Sequence, residues 1–174
     1  MDTISEAYRA QQVALHTNPA YGVASLAFAP LVAKLAVDNS VRSISDYGAG
    51  KKHLQTALEA AGLTFDYHPY DPAFPDYGPP TEADMVCCID VLEHIEPDRL
   101  DAVLDDLARI MPRLGFFSIH TGAAGKVLSD GRNAHLIQQP ARWWLPRLCE
   151  RFHIHHLQHH QLMGQGFWVV VSRA

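Results

Sequence analysis

Cysteine is scarce in this 174-residue chain. There are three, and two of them, Cys87 and Cys88, sit side by side inside an apolar run, with Cys149 far away. That pattern offers no disulfide framework and predicts a reduced protein. No apolar run reaches the roughly 20 residues needed to cross a bilayer. The first residues, Met1-Asp2-Thr3-Ile4-Ser5-Glu6, lack the basic-then-apolar order of a secretory signal, so a cytoplasmic location is expected. Internal repeats are absent, and so is low complexity apart from a histidine cluster near the end. No dense basic patch interleaves with aromatics, which removes the usual footprint of nucleic-acid binding. Neither nucleic acid nor membrane is an expected partner.

What is present is an ordinary globular composition, 48% hydrophobic and 19% charged. The net charge of −5 is unevenly spread. Residues 1–108 hold 6 Lys/Arg against 17 Asp/Glu, and residues 109–174 hold 8 against 2. Either the two halves attract each other across one fold, or the basic half favours an anionic ligand.

Ser5 precedes Ala7, Ala10 and Ala14 at helical spacing, which predicts a helix over 5–16 stopped by Asn18-Pro19. A second helix is expected over 23–37, kinked or restarted at Pro30. Strands are expected over 41–47, 64–70, Met85–Ile89 and 115–120, and helices over 53–61, 97–111 and 140–151. Residues 72–82, rich in Pro, Gly, Asp and Tyr, read as loop. Two closing strands over 152–160 and 166–172 share a short turn and must be antiparallel. The alternation predicts an α/β fold with a mostly parallel sheet and helices on both faces. Ligands of such sheets sit beyond the carboxyl ends of the strands.

The string Ser45-Asp46-Tyr47-Gly48-Ala49-Gly50 joins the first of these strands to a helix. Glycines there let backbone approach a ligand, as in nucleotide cradles. Asp71 follows 21 residues after Gly50, at a strand end, where a carboxylate can accept from both hydroxyls of a ribose. A dinucleotide fingerprint would need a third glycine at His53, and a pyrophosphate beside Asp46 would meet like charge. An amine-bearing ligand would not.

At these residues the chain resembles the class I S-adenosylmethionine-dependent methyltransferases. Their first motif is similar to residues 45–50, and their acidic ribose ligand to Asp71. Their strand-four signature resembles Asp90-Val91-Leu92-Glu93-His94-Ile95 after an apolar strand. The resemblance is strong over about residues 40–122. It implies a Rossmann-like three-layer α/β/α sandwich whose seven-stranded sheet ends in an antiparallel strand. Six strands are the alternative, since residues 72–82 lack a recognisable third strand. It also implies one methyltransferase domain over 1–174, with 1–38 as a helical lid and 39–174 as the cofactor-binding core. Lys52 stands where the family often has another glycine. By resemblance, Asp46, Tyr47, Gly48, Gly50, Asp71, Asp90 and Val91 bind S-adenosylmethionine, with Tyr21 contributed by the lid. Tyr8 and His16 are further lid candidates. Glu93-His94 also reads as a helix N-terminal cap.

Methyl transfer needs alignment, exclusion of water and, for a protonated acceptor, a base. His135 and His120 are the candidates. The string Asp130-Gly131-Arg132-Asn133-Ala134-His135, followed by Trp143-Trp144, suits a polyhydroxyl or anionic ligand, so Arg132, Asn133 and Trp143 are substrate-binding candidates. The expectation is O-methylation of a small sugar-like or secondary metabolite. A non-catalytic cofactor-binding subunit and an NAD(P)-binding reductase are the alternatives. A homodimer or a partner subunit would complete the acceptor pocket. The histidines over 153–160 would place His153, His155 and His159 on one strand face and His156 and His160 on the other. No carboxylate or cysteine joins them, and no metal is expected.

Overall fold

The structure, a computed structural model, describes residues 3–162 and 164–174. Ser5 opens the chain's first helix. Its Oγ accepts the Tyr8 N–H at 3.2 Å, capping α1 (Glu6–His16). The same residue ties that helix to a distant loop, because its N–H and its Oγ each donate to the Glu96 carboxylate at 2.7 Å. The next helix, α2 (Ala24–Asp38), continues through Pro30 rather than restarting there. Pro30 forfeits one backbone hydrogen bond. Burial of Phe28, Ala29, Val32 and Ala36 against the sheet offsets that loss.

Strands and helices then alternate: β1 (Ser43–Tyr47), α3 (His53–Ala60), β2 (Asp66–Tyr70), β3 (Met85–Ile89), α4 (Leu100–Ile110), β4 (Leu114–His120) and α5 (Ala141–Cys149). The hairpin β5 (Phe152–His160) and β6 (Gly166–Arg173) closes the chain. One sheet runs in the order β2-β1-β3-β4-β6-β5. The first four strands in that order are parallel, and β6 is antiparallel to both of its neighbours. Among the described residues the sheet has six strands, the second of the two counts expected. Residues 72–82 contribute only a 3-10 turn at Pro75–Tyr77, and β2 is left outermost.

Strand alternation builds the two faces. Met85, Cys87 and Ile89 of β3 turn towards α2 and α3, where Phe28, Val32, Leu54, Leu58 and Phe116 complete one core. Val86 and Cys88 turn the other way, with Phe117, Ile119, Phe167, Val169 and Val171. There they meet the stripe Leu100, Val103, Leu104, Leu107 and Ile110 of α4, and Trp144 and Leu148 of α5. The result is a three-layer α/β/α sandwich.

The charge asymmetry is used inside the fold. Arg113 pairs with Asp84 at 3.3 Å, and Arg151 with Asp101 at 3.2 Å and with Asp105. Each pair joins the basic half to the acidic half.

The histidine strand departs from strict alternation. A bulge between Ile154 and His156 shifts the register of β5. Ile154 and Leu157 consequently both pack on the core that α4 and α5 cover. His159 lies on that side against Phe167, whereas His156 stacks on Trp168 and His160 meets Phe28 on the other. His153, between Phe152 and Ile154, falls opposite His159, so the expected shared face is not formed.

Phe117 is fully buried and meets Phe152 edge-on, with ring centroids 5.3 Å apart. Phe117→Ala should lower unfolding free energy by about 3–5 kcal/mol in urea titrations. A loss below 1 kcal/mol would show that this core is not well packed.

Candidate active site

The sheet order reverses between β1 and β3, and a cavity of about 460 Å³ opens beyond the carboxyl ends of those strands. That volume lies within the roughly 300–1,000 Å³ of small-molecule sites. The turn after β1 forms its floor. Gly48 and Gly50 have φ of 84° and 50°, values that favour glycine. The constraint at Gly48 is also steric, since a Cβ there would sit 2.3 Å from a Val91 methyl. Backbone hydrogen bonds pin the turn: Gly48 N–H and Ala49 N–H both donate to Tyr70 O, at 2.8 and 2.9 Å. Lys52, at the third-glycine place, adopts the left-handed conformation (φ 58°, ψ 34°), so the residue changes while the backbone shape of a glycine persists.

Asp71 closes this floor. Its carboxylate accepts Gly50 N–H at 2.9 Å and Ala73 N–H at 2.8 Å, and His16 Nε2 lies 4.0 Å away. Burial raises the Asp71 carboxyl above its ordinary value and lowers the His16 imidazole. Asp46 is 4% exposed and accepts from Tyr67 Oη. Burial, with Asp71 nearby, pushes it up to about 7 against the opposing Tyr67 hydrogen bond. Asp90 follows β3 with φ 51°; its N–H and carboxylate both bond Ser118.

The opposite wall carries three imidazoles. His120 and His135 have ring centroids 4.6 Å apart, and His94 and His135 4.7 Å. Hydrogen bonds set their tautomers. His94 Nδ1 lies 2.8 Å from Ala134 O, and His135 Nδ1 lies 2.7 Å from Gly122 O. A carbonyl only accepts, so both rings carry their proton on Nδ1 and leave Nε2 with a lone pair. His120 is the reverse. Its Nδ1 accepts Gly122 N–H at 3.0 Å, so the His120 proton is on Nε2. Burial lowers His94 to about 3 and also lowers His135.

All eight residues expected on the cofactor side line this cavity: Asp46, Tyr47, Gly48, Gly50, Asp71, Asp90, Val91 and Tyr21. So do His120 and His135. Arg132, Asn133 and Trp143 are not among its walls. Arg132 is held by Asp130 at 2.7 and 2.9 Å and leans over Tyr8. Asn133 bonds both Ala124 N–H and Ala124 O, bracing the loop. Trp143 packs against Trp144 and under the Arg147 guanidinium. Glu93-His94 does not cap a helix either. Glu93 accepts His120 N–H at 3.0 Å, and His94 faces the cavity. Gln12, Tyr70, Glu96 and Lys126 are further lining residues. Of these only Gln12 was legible, as part of the lid segment.

The site also fits a bound organic group. Gln12 Nε2 and His16 Nδ1 are buried without a hydrogen-bond partner among the described residues, and both residues line the cavity. Each carboxylate oxygen of Asp71 has one donor from the chain, leaving lone pairs for ligand hydroxyls.

The family model described as a methyltransferase domain matches residues 23–167. No curated protein sequence matches the chain. Among solved structures, the 1,6-didemethyltoxoflavin-N1-methyltransferase of Burkholderia thailandensis, with bound S-adenosylhomocysteine, superposes with a TM-score of 0.67 at 13% identity. That match covers 97% of this chain and 88% of the other. The N-methyltransferase NodS of Bradyrhizobium japonicum WM9, also with S-adenosylhomocysteine, gives 0.58 at 8% identity, covering 97% and 99%. Magnesium protoporphyrin IX methyltransferase of Synechocystis PCC 6803 gives 0.57 at 15%, covering 87% and 84%. At these identities the likeness is one of fold.

Without ligand, Asp46 opposes folding as pH rises. Its folded value lies above its unfolded one, so the cost grows between about pH 4 and pH 7 and is full above that. Asp46→Asn removes the charge and keeps an acceptor for Tyr67. Its melting temperature should match wild type near pH 4 and exceed it above pH 7, by about 2–4 °C per kcal/mol relieved. A pH-independent difference between the two proteins would refute the buried-charge reading.

Proposed function

The chain belongs to the methyltransferase-domain family whose model spans residues 23–167, and on that premise we propose that it methylates a small molecule with S-adenosylmethionine as donor. The observation that carries this reading is the buried Asp71 at the end of β2, held by the glycine turn with lone pairs to spare. S-adenosylmethionine supplies a methyl group already activated by its sulfonium.

The chain's own residues bind, align and exclude water. Asp71 accepts from the ribose hydroxyls. Asp46 compensates the ammonium, and the ammonium in turn favours its ionised form. Gly48 and Gly50 admit the ligand to the backbone, with Tyr47, Asp90 and Val91 beside it. Tyr21 covers the site from the segment after α1. That segment, residues 1–38 in the proposed division, is fastened as a lid by Ser5 to Glu96 and by Tyr8 Oη to His94 O at 2.6 Å.

The acceptor we propose carries a hydroxyl and an anionic group. His135 Nε2 offers the lone pair that takes the hydroxyl proton, and His120 Nε2–H donates to orient the acceptor. Lys126, on the cavity wall, is the cation for an anionic substituent, in place of Arg132. With Asn133 and Trp143 turned away, the support for a sugar-like acceptor is reduced to these few polar groups. Two of the solved neighbours, the 1,6-didemethyltoxoflavin-N1-methyltransferase and the magnesium protoporphyrin IX methyltransferase, are named for small-molecule acceptors, which supports that class of acceptor.

Calorimetry with S-adenosylhomocysteine should give one site per chain, and NADH should give none. Asp71→Ala should weaken S-adenosylhomocysteine about 100-fold or more, two lost hydroxyl bonds being worth roughly 1.5–3 kcal/mol each to a charged acceptor. Binding of NADH alone would overturn the function. In a turnover assay with a responding acceptor, His135→Ala should lower kcat about 100-fold with S-adenosylhomocysteine affinity kept. Unchanged kcat would remove His135 from the acceptor side.

A further inference from the structure

Behind the acceptor wall lies a carboxylate with no apparent use. Glu93 is fully buried; one oxygen accepts His120 N–H, and the other, Oε2, has no hydrogen-bond partner among the described residues. A buried carboxylate oxygen left bare is costly unless a proton or a cation meets it. Its neighbours are two imidazoles prepared in one particular way. Glu93, His94 and His135 each bring a ligand atom within 4.8 Å of the other two. Both rings donate Nδ1–H to a backbone carbonyl, at 2.8 and 2.7 Å. Metal-binding histidines are oriented by just such a bond from the second ring nitrogen, which leaves the other lone pair free for the ion.

We propose that Glu93, His94 and His135 form a binding site for one divalent first-row transition-metal ion, with an open coordination position facing the acceptor end of the cavity. Two imidazoles and one carboxylate suit zinc, cobalt, manganese or iron better than magnesium or calcium, which prefer all-oxygen shells. Three protein ligands with a fourth position open is the pattern of catalytic rather than structural sites. The open position faces the cavity because His94 and His135 line it, whereas Glu93 stands behind them. Ions of this class sit about 2.0–2.2 Å from nitrogen and oxygen ligands, so on binding the ligand atoms would draw in from a spacing of up to 4.8 Å.

The inference rests on the methyltransferase reading only for its use, namely holding the acceptor oxygen. In the ion-bound protein the His135 lone pair is spent on the ion, so the base role given to His135 above applies to the metal-free protein; on the ion the acceptor hydroxyl would be acidified and lose its proton to water. In the sequence only the histidines of β5 invite a metal reading, and with no carboxylate or cysteine beside them no metal is expected there. The three ligands come from two segments about 40 residues apart, and only the fold brings them together.

The test uses the full chain, stripped with chelator, dialysed and titrated with Co²⁺ alone. One ion per chain with visible ligand-field absorption is expected, displaced by Zn²⁺. Glu93→Gln, which keeps an acceptor for His120 N–H, should weaken Co²⁺ by more than the roughly 10–100-fold of an outer-shell change. His94→Ala is the second variant, and circular dichroism checks that each is folded. Replacing His153, His155, His156 and His159 by Ala should leave the site intact. The proposal fails if folded wild type binds no Co²⁺, or if the β5 variant loses the ion while Glu93→Gln and His94→Ala keep it. S-adenosylhomocysteine calorimetry on the stripped protein separates the two readings: binding there with no Co²⁺ site sinks this proposal alone.

Discussion

Asp71 accepts the Gly50 and Ala73 N–H groups at the end of β2, and so fixes how that strand meets the turn after β1. Tyr70, one residue earlier, receives Gly48 and Ala49 from the same turn. Four backbone donors are thereby satisfied over two adjoining strand ends, in a region where water cannot serve them all. The glycines take their left-handed conformations inside this frame, and Lys52 is carried into the same region with them. Without the Asp71 carboxylate, Gly50 N–H would be buried and bare, a cost of about 1–3 kcal/mol. The cavity floor is therefore a product of strand-end hydrogen bonding as much as of glycine.

The walls depend on α1. Its start is locked to Glu96, its middle to His94 O through Tyr8, and its last residue, His16, fills the space above Gly50. His16 meets Tyr21 and Phe74 edge-on at 5.0 Å each. These rings cover the carboxylates below and keep water from them, and burial raises both Asp46 and Asp71 above their ordinary values.

The order of elements was legible because strong local signals coincided. β3 reads as an unbroken apolar run, α4 as a stripe with acids at its start, and the closing hairpin from a turn too short for a crossover. That the residues expected to hold the cofactor would line one cavity was legible for a related reason: most stand at strand ends, and the topology alone brings those ends together. The acceptor-side trio was not. Arg132 and Asn133 come from a dense polar string, and such strings commonly satisfy themselves. Asp130 takes the Arg132 guanidinium and Asn133 braces Ala124, so neither side chain is left for a ligand. Glu93-His94 was misread as a cap because its partners, His120 N–H and Ala134 O, are 27 and 40 residues away. The bulge in β5 was invisible because inserting one residue into a polar strand leaves no mark in hydropathy.

Losing a strand at residues 72–82 exposes β2 as a margin of the sheet, and the chain answers this locally. Asp66 N–H and Tyr70 O point towards β1, so the intervening positions 67 and 69 direct their backbone outwards. Position 69 is proline, which has no N–H to offer a newcomer. At the other margin, β5 is bent by its bulge and studded with exposed imidazoles. A strand from another molecule would find a missing donor on one side and an irregular polar rim on the other. The shortened sheet thus carries its own resistance to edge-to-edge aggregation.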